Sequence, residues 1–161
     1  MHIRDATTDD WAAIWPFLRA IVRAGETYTW PRDIDVGAAR AIWLAPPPAR
    51  TLVAVEGETV LGTAKIAPNQ AGPGAHVANA GFMVDPAHAG QGVGRALGTA
   101  ALERARTDGY RAMQFNAVVE TNTGAVRLWR SLGFSVLATV PEAFHHPTLG
   151  YVGLHVMHRS L

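Results

Sequence analysis

Gly90, Gly92 and Gly94 alternate with Gln91 and Val93 directly after the apolar run Ala80 to Val84 and a turn marked by Pro86. Apolar residues at helical spacing follow: Val93, Leu97, Ala101 and Ala105. Strand, glycine turn and helix in that order make an anion site. Glycines let the backbone approach a ligand without side chains in the way, and the first N–H groups of the helix are unpaired donors with a partial positive charge. The chemistry that this suits is the binding of a phosphate or pyrophosphate. Spacing excludes two common versions of it. A dinucleotide fingerprint needs Gly-x-Gly-x-x-Gly, and the third position falls here on Arg95 or Leu97; a P-loop needs Gly-Lys-Ser/Thr, which does not occur.

Asparagine supplies the second set of candidates. Asn79 and Asn116 stand inside strand-like runs on either side of the glycine turn and its helix, although asparagine is disfavoured in strands. A buried carboxamide needs partners, so each either bonds neighbouring backbone or faces a polar ligand. Asn122 heads a third polar position, where it reads as the N-cap of the helix that carries Ala125, Leu128, Trp129 and Leu132. No carboxylate lies on the run leading into the glycine turn, which leaves Glu26 and Glu120 as bases or as solvated surface charges. His145, His146, His155 and His158 lack the cysteines or the helical His-x-x-x-His pair of a zinc site, and His145 and His146 read as loop residues near a pocket mouth. With no cysteine in the chain, disulfides, zinc–thiolate sites and a cysteine nucleophile are excluded.

The elements that must position these residues follow from periodicity. Ile3 and Arg4 open a short strand, and Thr7 to Asp10 cap a helix carrying Trp11, Ile14, Trp15, Leu18, Ile21 and Val22, with Pro16 set to kink or break it and Gly25 to close it. Glu26 to Pro31 is aromatic, and reads either as a pocket wall or as a loop pinned to the core. Ala38 to Leu44 makes a second helix, and Thr51 to Val55 and Thr59 to Ile66 make a hairpin around Gly57. After a Gly/Pro-rich loop, His76 to Val84 is the strand feeding the glycine turn, whose helix ends at Asp108-Gly109; Arg111 to Val119 is the next strand. Ser135 to Val140 and Tyr151 to Met157 are the last two, joined by a long segment from Pro141 to Gly150. The order predicts an α/β (α+β) domain over residues 1–161, with one mixed sheet of about seven strands flanked by about four helices.

Composition agrees with such a domain. The 161 residues are 48 % hydrophobic and only 17 % charged, which suits a buried core and excludes disorder. No apolar run is long enough to span a bilayer, and Met1 to Asp5 lacks a signal-peptide layout, so the expected location is cytoplasmic. A net charge of +1 without a basic block leaves no footprint for nucleic acid and favours a small ligand.

The stretch Val84-Asp85-Pro86-Ala87-His88-Ala89-Gly90-Gln91-Gly92-Val93-Gly94-Arg95-Ala96-Leu97 resembles the acyl-CoA motif of the GNAT N-acyltransferases, with Ala89 in place of the usual Arg or Gln. Asn122 to Phe134 resembles a second motif of the same family, Asn-x-x-Ala-x-x-Leu-Tyr-x-x-x-Gly-Phe, with Trp129 in place of the tyrosine that often protonates the departing thiolate. Indole N–H is a donor only and does not give up its proton at ordinary pH, so Trp129 shapes a pocket or packs. The resemblance implies a mostly antiparallel sheet splayed between its fourth and fifth strands and acetyl-CoA as the cofactor, without metal. It implies CoA contacts from Met83, Val84, Ala89, Gly90, Gln91, Gly92, Val93, Gly94, Arg95, Asn122 and Trp129. It implies direct attack by the amine of a small molecule, and a homodimer. Asn79, Asn116 and Asn122 further resemble the acceptor-site asparagines of a branch that includes the yeast enzyme acting on the proline analogue azetidine-2-carboxylate, which implies an amino or imino acid acceptor. A silent acyl-CoA-binding module and a protein amine as acceptor are the alternatives.

Overall fold

The computed structural model describes residues 1–161. Seven strands form one sheet: β1 (His2–Asp5), β2 (Arg50–Glu56), β3 (Thr59–Pro68), β4 (Val77–Val84), β5 (Ala112–Val119), β6 (Ser135–His146) and β7 (Gly150–Ser160). Their order across the sheet is β1-β2-β3-β4-β5-β7-β6. Four helices flank it: α1 (Trp11–Ala24), α2 (Val36–Trp43), α3 (Val93–Thr107) and α4 (Thr123–Ser131). Every neighbouring pair is antiparallel except β4 and β5, and that parallel pair needs the α3 crossover between them.

Alternation along β2 to β4 sends side chains to two separate cores. Leu52, Ala64, Ile66, Leu97, Met113 and Phe115 pack on the α3 and α4 side, while Val53, Met83, Ile14, Leu18 and Trp43 pack on the α1 and α2 side. Strands covered on both faces read as nearly continuous apolar runs, which is why β2 stands out in the sequence. Trp43 Nε1 donates to Thr63 Oγ1 at 3.0 Å, so the one indole–hydroxyl pair in the second core is satisfied. Gly62 sets how closely α3 lies on β3: a Cβ there would stand 2.9 Å from the Met83 carbonyl oxygen and 3.0 Å from Val93 Cγ1.

The local readings hold with three corrections. Pro16 neither ends nor splits α1, which runs from Trp11 to Ala24 and closes at Gly25 with φ 69°. Pro141 to Gly150 is not a loop: β6 continues to His146 and β7 begins at Gly150. Proline is tolerated there because β6 is an edge strand, and Glu142 at φ 52°, within a register shift between Val140 and Phe144, takes up the extra residues. Asn116 is not in a regular sheet interior; it lies in a register shift of β5 between Phe115 and Val118 and is exposed.

Candidate active site

β4 and β5 pair at only two positions, Val77 opposite Ala112 and Ala78 opposite Met113. The parallel ladder would next join the Ala80 N–H to the Gln114 carbonyl. Instead Asn79 Nδ2 donates to that carbonyl at 2.9 Å, and the strands part. Antiparallel pairing spends the main-chain groups of alternate β4 residues on β3, as the bonds from Asp85 N to Leu61 O and from Asn69 N to Val77 O fix the phase. Ala80, Phe82 and Val84 therefore turn their N–H and C=O groups toward the gap. A cleft of about 390 Å³ occupies it, lined by β4 from Asn79 to Val84, β5 from Phe115 to Val119, Tyr28, Trp30, Asn122 and Trp129.

All three asparagines border this cleft. Asn79 has its polarity set by the Gln114 carbonyl, which only accepts, so its Oδ1 and second N–H are unspent. Asn122 Oδ1 accepts from Ala125 N at 3.3 Å, the N-cap bond, which leaves its Nδ2 to the cleft. Asn116 accepts from Gln114 Nε2 at 2.9 Å and donates to Asn69 Oδ1 at 2.7 Å. Main-chain and amide partners thus fix each carboxamide at one atom or both, and each still has at least one N–H and one lone pair unspent.

The glycine turn lies a few residues beyond the end of β4. Asp85 Oδ1 accepts from Ala87 N at 3.0 Å and starts a short 3-10 turn over Pro86–His88. Gly90 and Gly92 have φ of 77° and 82°, and a Cβ at either would meet nothing within 4 Å, so the space over the turn is open. Gly92 caps α3, whose first amides point out of the turn. Gly94 serves packing instead: its Cβ would come 3.3 Å from Leu128 Cδ2 on α4. Arg95 reaches α4 as well, donating from Nη2 to Ser131 Oγ at 3.0 Å. Ala89 and Gln91 are exposed and Val93 is buried in the core. Met83 is only 2 % exposed and its side chain joins the α1 and α2 core, so what it gives the cleft is backbone.

The walls are aromatic. Trp129 packs its ring 4.6 Å from Phe82 and 5.0 Å from Phe115, between centroids, and Phe115 stacks on Phe134 at 4.3 Å. On the other side Tyr28, Trp30 and Trp43 meet edge to face, and Tyr28 donates to the Phe82 carbonyl at 3.0 Å. Glu26 to Pro31 is therefore both pinned to the core and a wall. Its contribution is Tyr28, Trp30 and their neighbours Thr27 and Thr29, together with Phe82 and Phe115 the residues that periodicity alone does not single out. No carboxylate, histidine, lysine or arginine lines the cleft, and Tyr28, the one titratable group there, is held above its ordinary pKa by burial.

Other candidates lie elsewhere. Glu120 Oε1 accepts from Gly153 N at 2.5 Å and holds β5 to β7. His145 stacks on Tyr151, and His146 Nδ1 accepts from the amides of Thr148 and Leu149 at 3.2 and 3.3 Å, so both are the last residues of β6, paired with β7, and not loop residues at the mouth of the cleft, which neither lines.

Comparison with known proteins places this geometry. The model of the acetyltransferase (GNAT) family matches residues 7–134. A solved GCN5-related N-acetyltransferase from Kribbella flavida is 60 % identical, with a TM-score of 0.97 over 99 % of this chain and 97 % of that one. YncA from Salmonella typhimurium, a putative acetyltransferase solved with its cofactor acetyl-CoA, is 28 % identical with a TM-score of 0.89 over 100 % of this chain and 94 % of that one. The N-acetyltransferase aca1 of Schizosaccharomyces pombe is 35 % identical over 100 residues, 62 % of this chain. That match spans about half of the yeast protein, 48 % of its length.

Proposed function

The chain belongs to the acetyltransferase (GNAT) family, and on that premise we propose that it moves the acetyl group of acetyl-CoA to the amine of a small molecule by direct attack, the acceptor being an amino or imino acid analogue. One observation carries the reading: the edge of β4 that β5 leaves free where it departs at Asn79 is followed, after the 3-10 turn over Pro86–His88, by the glycine turn. Acetyl-CoA fits the residues present. The amides from Gly90 to Arg95 suit its pyrophosphate, and the open φ-positive glycines leave room for it. The N–H groups of Ala80 and Val84 and the Phe82 edge suit the amides of its pantetheine arm. When bound, it supplies an activated acyl carbonyl whose leaving group is a thiolate.

The chain's own residues then orient rather than titrate. Asn79, Asn116 and Asn122 offer fixed N–H donors to an acceptor carboxylate, and the unspent Asn79 Oδ1 takes a bond from the amine. The aromatic walls keep water from the remainder of the cleft. No cleft residue is a base in the neutral range, so the amine sheds its proton to water. Trp129 can donate a hydrogen bond to a thiolate without transferring a proton. A homodimer through β6 belongs to the same reading, supported by the open sheet edge on which Leu137 and Val140 stand exposed.

The test is CoA release from acetyl-CoA across a panel of small amines that includes azetidine-2-carboxylate, with Asn79→Ala and Asn116→Ala proteins alongside. Turnover on a proline analogue that both substitutions abolish, with acetyl-CoA binding retained, is the expected result. Turnover confined to unrelated amines, indifferent to both substitutions, refutes the asparagine site. Acetyl-CoA binding with no turnover points to a silent binder or a protein acceptor.

A further inference from the structure

Asn116 is held from both ends of its carboxamide, and by residues from two different strands' surroundings. Gln114 lies two positions earlier on β5 and donates from Nε2 to Asn116 Oδ1; Asn69, just beyond β3, accepts from Asn116 Nδ2. Asn69 reaches this place because its own N–H continues the β3–β4 ladder, donating to the Val77 carbonyl at 2.8 Å. Gln114 has a second duty. Its carbonyl accepts from Asn79, so its main chain orients one cleft asparagine while its side chain orients the other.

This matters because the terminal torsion of a carboxamide is soft and roughly two-fold. A free amide presents donor or acceptor to a ligand indifferently, whereas one bonded at both atoms presents one remaining N–H and one remaining lone pair in set directions. Asn79 and Asn122 are set by main-chain groups that can only accept or only donate. Asn116 has no main-chain partner, and being exposed in an irregular part of β5 it has no packing to fix it either. Its two partners are the side chains of Asn69 and Gln114, whose main chains are held in place by the Val77 carbonyl and by Asn79.

We propose that Asn69 and Gln114 are positioning residues for the acceptor, locking the Asn116 carboxamide in the orientation that meets the acceptor's polar group. The proposal rests on the reading of Asn116 as an acceptor contact. Neither holder lines the cleft, so both act through Asn116. An acceptor without a second polar group near its amine gains nothing from the lock, and one carrying a carboxylate gains most. Ordered donors of this kind reduce what an acceptor must give up to organise its own site.

The experiment compares Asn69→Leu, Gln114→Met, Asn116→Ala and the Asn69→Leu/Asn116→Ala double protein, with azetidine-2-carboxylate or the panel amine that turns over as acceptor. The readouts are kcat, KM for each substrate, acceptor Kd from quenching of the tryptophan fluorescence of the cleft, and melting temperature. Expected for Asn69→Leu and Gln114→Met is a rise of about tenfold in acceptor KM and Kd, the effect of one misdirected hydrogen bond, with acetyl-CoA KM and melting temperature held. The double protein should be no worse than Asn116→Ala, because the holders have nothing left to hold. If Asn116→Ala is impaired while Asn69→Leu and Gln114→Met stay within about twofold, or if the Asn69 and Asn116 effects multiply, the lock is overturned and the acceptor reading stands. If Asn116→Ala itself leaves acceptor KM and Kd unchanged, the acceptor reading falls and the lock falls with it.

Discussion

Tyr28 donates its phenol proton to the main-chain carbonyl of Phe82 at 3.0 Å, and so ties the segment after α1 to the open edge of β4. Gly81 makes the approach possible, since a Cβ there would stand 3.1 Å from the Tyr28 hydroxyl and 3.4 Å from the Trp43 ring. Tyr28→Phe keeps the ring in its edge-to-face contacts with Trp30 and Trp43 but leaves the Phe82 carbonyl unpaired. The expected cost is about 1 kcal/mol of stability. Acceptor KM should rise about fivefold, because the wall carrying Thr27 to Trp30 loses its tether, while acetyl-CoA KM stays as it was. Thermal melting and steady-state kinetics check this, and an unchanged acceptor KM would separate the tether from the acceptor site.

The glycine turn allows a cleaner division between the two substrates. Gly92 sits at φ 82° with open space beyond it, so alanine there collides with nothing in the protein and carries only the left-handed backbone strain, about 1–2 kcal/mol. Its methyl group would intrude on the open space at the N-cap of α3, which the cofactor's pyrophosphate is proposed to fill. Gly92→Ala should therefore raise acetyl-CoA KM about tenfold or more and leave acceptor KM within about twofold, measured by titrating each substrate at saturation of the other. An equal loss for both substrates would mean that the turn shapes the whole cleft instead of the cofactor end.

How much of this was legible from the chain depends on the reach of each interaction. The glycine turn, the Asn122 cap and the closing Gly25 are set by residues adjacent in sequence, and the two core faces of β2 and β3 follow from alternation. The site where the sheet splits is different. Asn79 marks it, but its partner is the carbonyl of Gln114, 35 positions away, and no spacing rule reveals that an amide replaces a ladder rung. Asn116 reads as a strand residue because periodicity does not show the extra residue that puts it in an irregular stretch. Pro141 reads as a loop residue for the opposite reason: only the topology shows β6 to be an edge, where a missing N–H has no consequence.

Acid should loosen the protein at the entrance to α1. The Arg4 guanidinium grips Asp10 with two bonds of 2.7 Å, the Thr7 amide adds another at 2.7 Å, and together they lower the Asp10 pKa to about 2 despite its burial. A carboxylate depressed in the folded state stabilises it fully above the unfolded pKa near 4 and ceases to do so as pH falls through 2. Asp10→Asn should be about 1–2 kcal/mol less stable than the parent at pH 6, a figure reduced for the partly exposed Arg4. The difference should close between pH 4 and pH 2, where the parent loses the same charge. Denaturant unfolding at intervals across that range measures it, and a gap that persists at pH 2 would assign the effect to packing.

The most informative pH dependence is that of the rate, because the cleft holds no group that titrates in the neutral range. Tyr28 is pushed further from that range by burial, and the Glu120 carboxylate is occupied with the Gly153 amide at the β5–β7 junction. The only ionisation left for direct attack is that of the acceptor amine, whose protonated form has no lone pair to attack with. For an amine with a pKa near 10, kcat/KM should rise about tenfold per pH unit from 6 to 9 with no plateau. An acceptor of lower amine pKa should level off earlier, at its own value, and each profile should become flat once kcat/KM is expressed per free base. Measuring both acceptors on the same preparation decides the point. If every acceptor shows one common inflection near pH 7, a residue of the protein is acting as base, and the charge-free description of the cleft fails.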